Sequence, residues 1–117
     1  DGWSEETYKA FLEDEINVAL PGGGESLRMV YDRISIVMPS IVDKLGVVGH
    51  TLVVAHRNVN KMIVKYLLGL TFAEGYGVEH LNTWLYIYAS QRQELYSTQI
   101  QSPGAALDIK SGYERVL

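Results

Sequence analysis

Thr51-Leu-Val-Val-Ala-His56, with the segment Arg57 to Gly69 behind it, constrains this chain more than any other part of it. Thr51 to Ala55 reads as a five-residue strand, apolar on both faces. That is the pattern of a strand in the middle of a sheet covered by helices. At His56 the chain passes straight into an amphipathic helix, predicted over Asn58 to Leu68. Val59, Met62, Ile63, Tyr66 and Leu67 face inward, and Gly69 stops it. A titratable ring and the free N–H groups of a helix N-terminus therefore meet at one point. Such a terminus carries roughly half a positive charge and several unpaired donors, so it favours anions, phosphate above all.

The remaining elements can be placed around this one. Ser4 to Ile16 reads as a short helix with Ser4 as N-cap, Glu5 and Glu6 in the first turn, and Tyr8, Phe11 and Leu12 as its modest apolar face. Pro21-Gly-Gly-Gly24 breaks the chain and needs backbone freedom. It lacks the Lys-Ser/Thr of a P-loop. Leu27, Val30, Ile34, Val37, Met38, Ile41, Val42 and Leu45 recur at steps of three and four, the stripe of a long core-facing helix. Pro39 lies inside it, where a kink or local break is expected, and Gly46 is the expected end, with Gly49 in the loop. Thr71 to Gly77 reads as a loop. Thr83 to Ala89 alternates Trp84, Tyr86 and Tyr88 against Leu85 and Ile87, a strand pattern. Ser90 to Gln93 turns it into a hairpin partner, Glu94 to Ile100. Beyond Pro103 the tail is weakly patterned, and Asp108 to Leu117 is open between loop, short strand and disorder.

This order of elements predicts an α/β architecture with helices packed on a mixed sheet. Only one βα unit is present, however, and a strand buried on both faces needs partners along both edges. The pattern is that of half a sheet, a single partial domain over residues 1–117. It is expected to form a homodimer, swap elements or associate with a missing N-terminal half. The chain also opens on Asp1 rather than Met, which suggests upstream sequence.

Composition narrows the partners. With a net charge of −4 and ten scattered Lys and Arg, nothing proposes a nucleic acid. No apolar run approaches the roughly 18–20 residues that cross a bilayer, so no membrane is expected. The absence of cysteine excludes disulfide and thiolate chemistry and fits a reducing, cytoplasmic interior. No metal-ligand spacing occurs, and no cofactor is expected.

Pro21-Gly-Gly-Gly-Glu-Ser-Leu27 taken with Leu52-Val-Val-Ala-His-Arg-Asn58 resembles the histidine phosphatase superfamily, the phosphoglycerate mutase-like proteins. In that family a Gly-Glu-Ser segment, here Gly24-Glu25-Ser26, opens a long helix carrying an arginine, here Arg33. A strand then delivers the second active-site histidine, here His56. The resemblance covers about residues 18–90. It implies the C-terminal portion of a three-layer α/β/α phosphoglycerate mutase-like fold. It also implies a phosphoenzyme mechanism: a histidine in an Arg-His-Gly segment attacks phosphorus, and arginines and the second histidine hold the equatorial oxygens. A carboxylic acid protonates the leaving oxygen. The expected activity is hydrolysis or transfer of a phosphomonoester on a phosphorylated small molecule.

The departures from the family are specific. His50, His56 and His80 are the three histidines and none follows an arginine, so the attacking histidine is expected outside this chain. His50 and His80 are assigned no chemistry. The acidic donor segment is also missing, and Trp3 is assigned to a variable helical insert. Arg57 stands where the family usually has glycine, either clamping phosphate or charging the rim. Asn58 reads first as an N-cap and second as a phosphate contact. Glu25 and Ser26 are expected to cap the long helix in support of the pocket, with Arg33 as an ion-pair partner. The alternative is a catalytically inactive, truncated relative that binds an anion or another protein.

Overall fold

The computed structural model describes residues 4–48, 50–80, 84–99 and 114–116. Trp3, Gly49, Thr83, Ile100 and the Pro103 region lie outside the described residues, as does all of the tail from Asp108 except 114–116. The chain forms two compact units, Asp1–Val78 and Glu79–Leu117. Helix and strand are both present, in keeping with an α/β protein.

The first unit is helical. Helix α1, Glu5–Glu13, begins at Ser4, whose side chain accepts from Thr7 N while the Thr7 hydroxyl takes the Ser4 N–H. This reciprocal cap satisfies two orphan donors of the first turn. The Pro21–Gly24 turn then needs a left-handed backbone, with Gly22 and Gly23 at φ 85° and 88°. Helix α2 runs from Leu27 to Val48. It continues through Pro39, where a kink or local break was expected, so the break does not form. Pro39 is exposed, so its ring projects away from the core. The helix also passes Gly46, the expected end, and runs to Val48.

Helix α3, Arg57–Leu68, ends on Gly69, which closes it at φ 65° with its N–H on the Lys65 carbonyl. Leu27, Val30, Ile34 and Met38 of α2 bury against Met62 of α3. Val59, Ile63, Tyr66 and Leu67 flank this core, as their spacing predicts. Val37 and Val42 of the predicted stripe remain exposed, because the apolar band of α2 is wider than the face α3 covers. Thr71 to Gly77, read from sequence as a loop, contains a short helix α4, Phe72–Gly77. Its start is the box Thr71–Glu74, each side chain taking the other's backbone N–H. Ser/Thr-x-x-Glu was the available signal, obscured by two glycines in six residues.

The predicted strand Thr51 to Ala55 does not form. Residues 50–56 are irregular and exposed, with Leu52 at 77%, Val53 at 42% and Val54 at 85%. A strand exists only by pairing, and no described segment pairs with this one.

The second unit is a sheet. Strands β1, Trp84–Ala89, and β2, Glu94–Gln99, pair antiparallel from Trp84 opposite Gln99 to Ala89 opposite Glu94, as the hairpin pattern predicts. A short β3, Glu114–Arg115, adds to β2, so the order is β1-β2-β3. Among the described residues this sheet is wholly antiparallel, which corrects the expected mixed sheet. The strand that would have run parallel is the one left unpaired.

Candidate functional site

His56 sits at the junction of the 50–56 segment and α3. It is extended (φ −74°, ψ 161°) and serves as the N-cap residue, its carbonyl accepting the first helical bond from Asn60 N at 2.9 Å. Its side chain makes no capping bond, so the exposed imidazole is left for other contacts. This moves the cap two residues from its expected place. Asn58 is the second residue inside the helix, because the turn is already closed by the His56 carbonyl. The nearby polar side chain that does fasten the junction is Asn60, whose Nδ2 donates to the Ala55 carbonyl at 3.0 Å.

The N–H groups of Arg57, Asn58 and Val59 have no acceptor among the described residues. Three donors, the positive end of the helix dipole, an imidazole and a guanidinium thus share one exposed point. A point of this kind favours anions over cations.

Glu25, Ser26 and Arg33 form a second cluster at the start of α2. Buried Ser26 caps it, Oγ accepting from Met29 N at 3.2 Å. The next two donors are also taken: Leu27 N donates to the Glu15 carbonyl at 2.9 Å and Arg28 N to the Ile16 carbonyl at 3.0 Å. This helix start is closed where that of α3 is open. Glu25 does not cap. It takes Arg33 Nε at 3.2 Å and Nη2 at 3.0 Å in a fork-to-fork pair. That hydrogen bond, with the charge of Glu25 behind it, raises the Arg33 pKa above its ordinary value. The pair is open to solvent and contributes little to stability. No hydrogen bond or ion pair among the described residues joins this cluster to His56, Arg57 or Asn58.

Of the other histidines, His50 is exposed. His80 is buried, its ring 4.4 Å from that of Tyr86. Its loop-like sequence context hid this burial. A cleft of about 370 Å³ lies between α1 and the Pro21–Gly24 turn, lined by Thr7, Ala10 and Val18 to Gly24, and includes none of the candidate residues. Among the described residues no three of His, Asp and Glu gather as a metal site, and no helix is long and apolar enough to cross a membrane.

Against known proteins, the model of the histidine phosphatase superfamily (branch 1) matches residues 3–101. The chain belongs to this superfamily. Phosphoglycerate mutase-like protein 4 of Arabidopsis thaliana is 49% identical over 39 residues, a stretch covering 33% of this chain and 17% of that protein. The chain therefore spans well under two thirds of that relative. No solved structure matches it.

Proposed function

We propose that these residues are part of a histidine phosphatase domain acting on a phosphomonoester, with the attacking histidine supplied by sequence outside the 117 residues. The observation that carries this reading is the α3 terminus, with three unengaged N–H donors beside an uncommitted imidazole. In this role an attacking imidazole forms an N–P bond as the ester oxygen departs with a proton from a carboxylic acid, and water then cleaves the phosphoenzyme. His56 donates to an equatorial oxygen, and Arg57 and Asn58 add charge and donors beside it, so charge spread over the oxygens meets preorganised dipoles. Glu25, Ser26 and Arg33 support the start of α2, whose Arg28 and Tyr31 pack on Phe72 and Lys65 at the opposite end of α3 from His56. The family's three-layer α/β/α fold would be completed by further strands pairing with Thr51 to Ala55, in a reducing compartment such as the cytoplasm.

The test is turnover of a generic phosphomonoester by the full-length gene product and its His56→Ala variant. The expected loss in kcat is about 10²- to 10³-fold, typical of one transition-state donor. Full activity in the variant would overturn the assignment.

A second reading, an inactive relative that binds an anion or a protein, is favoured by two facts. No Arg-His-Gly occurs in these residues, and Arg57 occupies the family's usual glycine position. Sulfate or phosphate bound at His56 without turnover would support it. Phosphohistidine on the purified protein would exclude it.

A further inference from the structure

Helix α1 buries no residue, and Tyr8 and Leu12 on it are 41% and 55% exposed. The strap that follows it, residues 14–17, ties it to α2. Asp14 holds the strap's own turn, accepting from Asn17 N at 3.1 Å. Glu15 and Ile16 place their carbonyls on the first two N–H groups of α2, and Asn17 Oδ1 takes Arg28 Nε at 3.0 Å. The Glu15 carboxylate reaches another way, accepting the hydroxyl of Tyr76 on α4. Tyr76 is itself tied to α3, where Lys61 Nζ donates to its carbonyl at 2.8 Å and lies 4.5 Å from its ring centre. One residue, Glu15, thus closes the start of α2 with its backbone and grips α4 with its side chain.

We propose that residues 14–17 are a releasable strap, with the Tyr76–Glu15 hydrogen bond as its catch. Opening the catch uncovers the N–H groups of Leu27 and Arg28 and frees α1 while α2 and α3 stay packed. The buried core of the unit lies between α2 and α3, with Ile16 of the strap packed at its edge, so release lifts Ile16 from that edge while the α2–α3 contacts remain. The catch has a defined pH response. The Glu15 hydrogen bond, then burial, then the Glu15 charge raise the Tyr76 pKa above 10.0. Lys61 faces Tyr76 from α3 with the opposite sign and favours the phenolate. Because the folded pKa is raised, the contribution is fully present below pH 10 and is lost as pH rises through the raised value. The inference does not depend on the phosphatase assignment.

Amide exchange on the 117-residue chain, native and Tyr76→Phe, tests it. The variant is expected to exchange about three- to tenfold faster at Leu27, Arg28 and across α1, the worth of one net hydrogen bond, with Met62 and Val64 unchanged. Unchanged rates at Leu27 and Arg28, or an equal rise in α3, overturn the proposal. If the variant does not fold, titration of the native chain by carbon NMR decides. The Cα signals of Leu27 and Arg28 should move with the Tyr76 ring signal. Static Cα signals through that titration overturn it.

Discussion

Ser26 caps the start of α2 with its hydroxyl, beside the carbonyls of Glu15 and Ile16 that take the first two N–H groups. It is buried, and its Oγ is the acceptor for Met29 N. Ser26→Ala leaves that donor orphaned, so we expect a loss of about 1 kcal/mol, within the 0.5–2 kcal/mol range for caps. A urea midpoint unchanged in the variant would contradict this. Ser26 was legible in the sequence because a serine precedes an apolar stripe. Asn58 was misread by the same rule. A cap is defined by backbone geometry, and here the His56 carbonyl closes the first turn whatever side chain stands two residues on. The Glu25–Arg33 pair was half legible: Arg33 as an ion-pair partner, but with Glu25 expected on the helix terminus rather than beside the arginine. An eight-residue separation brings the two side chains together only once the turn into α2 has its shape.

At the scale of elements, stripes of apolar residues at helical spacing were enough to place α1, α2 and α3, and strand alternation was enough to place β1 and β2. Helix α4 escaped because its evidence is a cap rather than a stripe. That cap gives it a pH signature. Glu74 accepts the backbone N–H of Thr71, and this bond is the main cause holding its carboxyl below the ordinary 4.5. A depressed folded pKa means the contribution is present above 4.5 and is lost as pH falls through the folded value. The Thr71 amide resonance should therefore shift on acidification in the native chain and stay flat in Glu74→Ala. A flat response in the native chain would remove the cap from the account. Thr71→Ala should weaken the same turn from the other side, since Glu74 N then loses its acceptor.

For the whole molecule, the notable surface is the run Leu52, Val53 and Val54, three consecutive apolar residues facing solvent. Its backbone offers unpaired donors and acceptors, a template for another strand. We expect the 117-residue chain to associate in a concentration-dependent way, and Val54→Lys to reduce it. A monodisperse monomer by light scattering at all concentrations would contradict this. The sequence alone determined the helix stripes, the hairpin, the Ser4 and Ser26 caps and, through two short motifs, the superfamily. These are local properties: periodicity, propensity and side chains within a turn of one another. Only the tertiary structure decided that Thr51 to Ala55 has no pairing strand among the described residues, that α2 runs through Pro39, that His80 is buried and that the start of α2 is closed while that of α3 is open. Each of these depends on which distant groups arrive to take a hydrogen bond or cover a face, and no local pattern records that.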